Sequence, residues 1–597
     1  MIMVEPSVSV WSPTLGALYL GDRRCRFRVW APLAGSVEVE LHGRVPLQRV
    51  DSGYFEGIVE GIEPGVRYAY RIDGRDARPD PASRFQPDGV HGPSMVIDPA
   101  FDWTDGDWRG LPLSDFIFYE LHVGTFTPEG TFDAVIPHLD RLAHLGINAI
   151  EIMPVAQFPG SRNWGYDGVL PFAVQSSYGG PAGLKRLVDA CHSRGIAVVL
   201  DVVYNHLGPE GNYLAEFGPY FTARYKTPWG LALNFDGPDC DPVRHYFVEN
   251  ALHWIAEYHV DALRLDAVHA IADASERPFL QELGAALHDL GERLGRRVHA
   301  IAESDLNTLH FLRPREQGGC GLDAQWTDDF HHSLHTLLTG ERTGYYQDFG
   351  SLGQMAKAMA GGFVYTGQAS PYRRRRHGVP AAEVEAGRHV VCIQNHDQIG
   401  NRMMGERIAS LVDFESLKLA AGAVLLSPFL PLLFMGEEWG ETAPFLYFVS
   451  HSDEALVEAV REGRREEFSS FSWKGEAPDP QSPDTFERSR IDPGLREREP
   501  NVRLYAFYKE LIRLRKSDPV LAHLSKRDLE VELEGDSIVM RRWNGDREVV
   551  VLFNFGEKRA PLPPGEKILD SAEERWGGPG SAGPGRSVVV LRRRSSR

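Results

Sequence analysis

The chain reads as an α/β protein: a closed (β/α)8 barrel of the TIM type, with a small β-sandwich before it and another after it. Three observations carry that expectation. Residues 1–105 alternate apolar and polar side chains in short runs between Gly- and Pro-rich turns, the pattern of a small antiparallel, immunoglobulin-like sandwich. Residues 106–522 hold eight apolar strand candidates with helical patterns between them, the signature of a closed parallel barrel. From 523 to 597 the period-two alternation returns, as in a second small sandwich. At 597 residues the chain is too long for one compact core, and two to four domains are expected.

In chain order, residues 25–30, 36–41 and 67–71 supply strands of the front unit. The stretch Arg78-Pro-Asp-Pro-Ala-Ser-Arg-Phe-Gln-Pro87 cannot hold a regular element, because its prolines lack the donor N–H, and it should wrap between domains. The barrel then runs through strands at 116–121, 149–153, 197–204, 260–266, 298–303, 324–326, 390–394 and 430–435. Helices are expected at 132–145 and 181–194, and a last barrel helix at 505–516. Long connections after strands two, three and eight imply insertions built over one face. Strands at 529–533, 537–541, 549–553 and 587–591 complete the chain.

Composition narrows the function. A hydrophobic share of 42% and a charged share of 25% are ordinary for a soluble globular protein. The net charge of -19 argues against nucleic acid or an anionic membrane as the main partner. The basic runs Arg373-Arg-Arg-Arg376 and Arg592-Arg-Arg594 read as solvated surface. Met1-Ile-Met-Val-Glu-Pro6 lacks the basic and apolar regions of a signal peptide. The apolar run at 417–435, broken by Pro428 and Pro431, reads as buried helix and strand and not as a membrane span. Five scattered cysteines suit a reducing cytoplasm, with no disulfide framework and no zinc spacing.

The candidate chemistry lies at the C-terminal ends of the strands, where barrels of this kind place it. Strand three ends in Asp201-Val-Val-Tyr-Asn-His206, strand four in Arg264-Leu-Asp266, strand five in Glu303-Ser-Asp305 and strand seven in Asn395-His-Asp397. Arg264 and Asp266, two apart on a strand, point to the same side, and the guanidinium keeps the carboxylate ionised. A structural ion pair explains that pair alone. Three acids in register with His206 and His396 are harder to explain structurally, because like charges in one cleft repel. Divalent-metal binding and retaining glycoside hydrolysis both use such a cluster; hydrolysis needs its nucleophile and acid about 5–5.5 Å apart. The aromatic residues Trp164, Tyr166, Tyr204, Tyr213, Tyr220, Phe221, Trp229 and Trp326 lie in or near the same loops and together favour sugar, although each by itself is more often a core or loop anchor than a sugar platform.

Those four blocks, in their order after successive strands, resemble the four conserved regions of the α-amylase superfamily. The resemblance implies that Asp266 is the nucleophile, Glu303 the general acid/base, and Asp397 the acid that grips sugar hydroxyls in the transition state. It places Tyr166, His206, Arg264 and His396 around the glucose beside the cleaved bond, with Gln398 nearby, and makes the front unit similar to the carbohydrate-binding-like sandwich of branching and debranching enzymes. One departure is Ala262, where the superfamily commonly has Gly.

Within the superfamily, Arg162-Asn-Trp-Gly-Tyr-Asp-Gly168, Asp328-Asp-Phe-His-His-Ser-Leu-His335 and Gly436-Glu-Glu-Trp-Gly-Glu-Thr-Ala-Pro-Phe445 resemble the maltooligosyltrehalose trehalohydrolase family. That implies a maltooligosyltrehalose substrate and free trehalose as product. Asp328, Asp329, Phe330, His331 and His332, with His269, would then contribute on the leaving-group side. An alternative for Asp328 and Asp329 is capping and first-turn charge for a helix that follows. Asn205 resembles a calcium ligand of some amylases, but no companion ligands can be assembled, so neither metal nor cofactor is expected. The catalytic residues alone do not separate hydrolysis from the transfer that a glycogen branching enzyme performs.

Overall fold

Eight parallel strands close into a barrel in sequence order: Phe118–Leu121, Ala149–Ile152, Ala197–Val202, Ala262–Leu265, His299–Ala302, Ala324–Trp326, His389–Val391 and Leu430–Phe434, the last pairing with the first. This computed structural model describes residues 10–468, 476–580 and 585–594; Met1 to Pro6, read above as lacking a signal peptide, lies outside them. Nearly every strand residue is buried, because helices cover the outside and side chains fill the inside. The run at 417–435 resolves into the helix Phe414–Leu426 and strand eight. Among the described residues no helix is long and apolar enough to cross a membrane.

The front unit is a two-sheet antiparallel sandwich. One sheet holds Gly16–Gly21, Arg24–Trp30, Tyr54–Glu60 and Gln48–Arg49; the other holds Arg44–Pro46, Val37–Glu40, Arg67–Ile72 and Ser94–Met95. Phe27, Val29, Val39, Tyr68 and Tyr70 fill its interior. The proline-rich segment ties it to the barrel. Arg84 donates to the carbonyls of Leu15 and Ala17, and Tyr246, on the barrel helix Cys240–Glu257, donates to the carbonyl of Pro81.

Two elements differ from expectation. The helix expected at 132–145 is interrupted: Phe132–Val135 and Leu139–Leu145 flank a tight turn at Ile136–His138, where Pro137 lacks the N–H that an unbroken helix needs. Among the described residues the C-terminal unit is a single five-stranded antiparallel sheet, not two sheets. Helix Phe414–Leu426 packs against it, and Gly422 faces Val588 so closely that an added Cβ would lie 2.8 Å from it. The barrel thus supplies the second layer.

Candidate active site

Strand four positions the centre of the site. Strand pleating puts Arg264 and Asp266 on one side, and Arg264 Nη1 donates to Asp266 Oδ1 at 2.7 Å. The same nitrogen contacts both oxygens of Asp201, on strand three, at 2.9 and 2.8 Å. Arg264 Nη2 lies 3.8 Å from Glu303 Oε2, just past strand five, and its guanidinium stacks 4.4 Å over the Trp326 ring. One buried cation therefore touches three carboxyl groups. Asn205 donates to the other Asp266 oxygen at 2.7 Å and to its carbonyl at 2.8 Å.

Directly after Asp266 the backbone turns left-handed. Ala267 sits at φ 38°, ψ 50°, and its N–H donates to Glu303 Oε2 at 2.6 Å. A non-glycine residue there is strained, and strain of that kind concentrates at functional sites. The turn joins the backbone of one acid's neighbour to the side chain of the other. Asp397, in the first turn of the short helix His396–Gly400, is partly open and accepts from Asn401 Nδ2 at 2.6 Å.

The electrostatics separate the acids. Burial alone would raise Asp266, but Arg264, then His206 and Asn205, outweigh it and hold Asp266 below the usual carboxylate range. Burial raises Glu303 well above its ordinary value; Asp266, Asp328 and Asp397 add to that and Arg264 opposes it. The two acids are pushed in opposite directions, the sense that a nucleophile and a proton donor require.

Tyr166 comes from the insertion after strand two. Gly165 makes that turn at φ +108°, with the Pro154 carbonyl 2.3 Å from any added Cβ. The Tyr166 hydroxyl donates to Asp201 Oδ2 at 2.6 Å and meets His396 Nε2 at 2.7 Å. His206 is buried, lies 3.0 Å from the Tyr166 carbonyl and stacks on Trp229 at 4.4 Å; burial lowers its pKa. Gln398 lies on the short helix, its N–H bonded to the Asn395 side chain.

The block at 328–332 divides. It opens the helix Asp328–Thr339, and Thr327, not either aspartate, is the capping position. Asp328 faces the acids and is half-buried; burial, then Asp397, Asp305 and Asp329, push it up to about 7. Asp329 turns the other way: its Oδ2 accepts from Asn307 Nδ2, Val364 N and Tyr365 N at 2.6, 2.6 and 2.9 Å. Phe330 is fully buried, and His331 bonds the Ile393 carbonyl and the Tyr346 hydroxyl. His332 packs on Tyr345 and Phe349. His269 is exposed, 4.0 Å from Asp305.

Other expectations need correction. Arg374, Arg375 and Arg376 are exposed, as read, but Arg373 turns inward and pairs with Asp305 at 2.8 Å. Trp164, Tyr204 and Tyr220 are core side chains, as single aromatics in these loops were expected to be, whereas Trp229 is 48% exposed. Sequence reasoning missed Glu120, which ends strand one and binds His396, and gave no role to Asp201. Both sit at strand ends, so the rule that found Asp266 could have found them. Asn205 spends its side chain on Asp266 and His206. Among the described residues no group of three or more His, Cys, Asp or Glu side chains is arranged to hold a metal ion.

Comparison with known proteins agrees with this arrangement. Residues 96–227 match the family model for the alpha amylase catalytic domain, residues 14–99 that for carbohydrate-binding module 48 (isoamylase N-terminal domain), and residues 526–590 a domain of unknown function. The malto-oligosyltrehalose trehalohydrolase of Saccharolobus solfataricus is 49% identical over 82% of this chain and 85% of its own. That of Rhizobium sp. strain M-11 is 45% identical over 95% and 97%. The 1.4 Å crystal structure of an alpha-amylase-type protein from Salmonella typhimurium is 38% identical and superposes with a TM-score of 0.90, covering 98% of this chain and 100% of that one. A 1,4-alpha-glucan branching enzyme from Pseudoalteromonas atlantica reaches 29% identity over 52% of this chain and 49% of its own. With near-full-length relatives at this identity and an α-amylase catalytic barrel between two β-units, the chain belongs to the malto-oligosyltrehalose trehalohydrolase family.

Proposed function

We propose that the chain is a retaining glycosidase that hydrolyses the α-1,4-glucosidic bond next to the terminal trehalose of a maltooligosyltrehalose and releases free trehalose. The observation that carries the reading is that Asp266 and Glu303 meet at one guanidinium, 2.7 and 3.8 Å from it, in surroundings that push the first carboxyl down and the second up. In the first step the Asp266 carboxylate attacks the anomeric carbon while the C–O bond to the leaving sugar breaks. Glu303 gives its proton to the leaving oxygen, and trehalose departs. In the second step Glu303, now ionised, takes a proton from water as the water oxygen attacks the same carbon. Asp266 is released, Glu303 is again protonated, and the maltooligosaccharide leaves with the configuration it started with. Asp397 grips sugar hydroxyls as charge develops at the anomeric centre.

Asp328 is the side chain of its block that faces the acids, and we assign it to the leaving-group side, where the 1,1-linked glucose offers hydroxyls that a 1,4-linked one does not. The five free cysteines suit a reducing compartment, so we place the enzyme in the cytoplasm; recovery outside it on cell fractionation would retire that placement.

The test is product analysis after separate incubation with maltotriosyltrehalose, maltopentaose and amylose. Free trehalose and an α-anomeric oligosaccharide are expected from the first, with much slower attack on the others. Chains transferred onto glucan would establish a branching enzyme instead. A β-anomeric first product would mean inversion and remove the nucleophile's role from Asp266.

A further inference from the structure

His396 has both ring nitrogens engaged, and its partners fix which atoms carry hydrogen. The Nε2 atom lies 2.7 Å from the Tyr166 hydroxyl, whose single hydrogen is directed to Asp201 Oδ2 at 2.6 Å. Asp201 takes two contacts from the Arg264 guanidinium, which can only donate, and faces the Tyr166 hydroxyl as the acceptor, although burial pushes it up to about 6. The Tyr166 oxygen must therefore accept from His396 Nε2–H. At the other side of the ring, Nδ1 bonds Glu120 Oε1, while the His396 backbone N–H bonds Glu120 Oε2 at 2.9 Å. The backbone N–H fills Oε2 and leaves Oε1 facing Nδ1, where it is placed to accept an Nδ1 hydrogen. An imidazole with hydrogen on both nitrogens is an imidazolium.

We propose that Glu120 is a positioning residue that keeps His396 protonated, and that this charge fixes the direction of every hydrogen bond from strand one to the nucleophile. The inference rests on the glycosidase reading of the site. The order is Glu120 accepting from His396, His396 donating to Tyr166, Tyr166 donating to Asp201, and Arg264 donating to both Asp201 and Asp266. If Nε2 lost its hydrogen, Tyr166 could turn its own hydrogen to His396 and leave Asp201. Arg264 would then be drawn toward the less satisfied Asp201, and Asp266 would lose part of the interaction that keeps it ionised and aimed.

The surroundings of the ring agree. Glu120 faces it from strand one, Asp201 from strand three, Arg264 from strand four and Asp397 from its own helix; His122 lies in the same field. Tyr166 stacks at 5.1 Å, and the Trp164 and Trp326 rings close the remaining sides at 5.9 and 6.1 Å. Burial and Arg264 oppose a charged ring, Glu120 and Asp397 favour it, and the balance raises His396 above the ordinary histidine value. Glu151, register partner of Glu120 on strand two, is the other acid here. Neither of its oxygens has a hydrogen-bond partner, and burial, then the charge of Glu120, raises it well above its ordinary value, toward the neutral form.

The test compares pH profiles of kcat/KM for maltotriosyltrehalose. Glu120→Gln should lower it about ten- to a hundredfold at pH 8. Activity should recover only as pH falls below the ordinary histidine value of about 6.5, because burial and Arg264 still oppose the ring charge once Glu120 is gone. Glu120→Asp, which keeps the charge, should restore most of the alkaline activity. Glu151→Gln should stay within about twofold of wild type, because an amide and a neutral acid carry the same charge. A Glu120→Gln loss that is equal at all pH values, or absent, overturns the proposal, and so does a Glu151→Gln profile like that expected of Glu120→Gln. Neutron diffraction of the wild-type protein gives a readout free of substrate: deuterium on both ring nitrogens is expected, and a bare Nδ1 or Nε2 overturns the assignment. If wild type releases no trehalose, the functional reading falls while the neutron result still decides the charge of His396.

Discussion

Strand four is flanked by an aspartate at each end, and the two live under different rules. Asp261, at the start, is saturated: it accepts from Trp108 Nε1 at 2.7 Å, His192 Nε2 at 2.9 Å and Val198 N at 2.8 Å, with Arg296 at 3.4 Å. His192 goes on to Asp105, which also holds His259, so the linker before the barrel is tied to its lower rim. Asp266, five residues on, has Arg264 and Asn205 as donors and keeps an open side toward the cleft. At the lower end every acceptor is filled, which stabilises. At the upper end three acids share one guanidinium: burial and the neighbouring acids raise Glu303, while Arg264 outweighs burial and holds Asp266 low.

The sharpest way to break this contrast is to remove charge at each end. Asp266→Asn keeps the shape but cannot attack, so kcat should fall roughly 10⁴-fold or more, with the melting temperature held near wild type. Turnover comparable to wild type would sink the nucleophile assignment. Asp261→Ala should do the reverse: leaving His192, Arg296 and Trp108 without their acceptor should cost about 3–5 kcal/mol of stability, read by chemical denaturation, while the folded fraction keeps its kcat.

Smaller effects separate neighbours within one motif. Asp328→Ala should lower kcat/KM for maltotriosyltrehalose about ten- to a hundredfold more than for maltopentaose, the loss of one charged hydrogen bond of about 1.5–3 kcal/mol. Asp329→Ala should loosen the backbone at Val364 and Tyr365 and affect both substrates alike. If Asp329→Ala discriminates between substrates and Asp328→Ala does not, the orientation of the block has been misassigned.

The two ends should also titrate in opposite directions. His331, His332 and His335, on the helix after strand six, are held neutral by burial, His332 down to about 3. A base depressed in the fold contributes stability above its unfolded value, about 6.5, and loses it as pH falls below that, by up to about 1.4 kcal/mol per pH unit per histidine. His192 is raised by Asp105 and Asp261 against the effect of burial, so its contribution is present below about 6.5 and fades as pH rises through its folded value. Denaturation midpoints from pH 7 to 4.5 should therefore fall; a flat profile would show that the histidine cluster is not buried in solution. The smallest effect is expected on the surface, where Arg186 and Asp133 pair at 2.7 Å with about half of each side chain exposed. Arg186→Ala should change stability by less than about 1 kcal/mol.

The sequence by itself determined the barrel, its strand order and the end at which its acids gather. Those depend on local periodicity: a strand alternates every second residue, so Arg264 and Asp266 must share a side wherever the strand lies. It could not separate Asp328 from Asp329, because both occupy the first turn of one helix and only the loop at 363–365 decides which is consumed. Arg373 was hidden in a run of four arginines until Asp305 drew it in. What only the tertiary structure decided was the charge of each group. Protonation depends on burial and on partners brought together across the fold, as Glu120 meets His396 across 276 residues and Tyr166 meets it across 230.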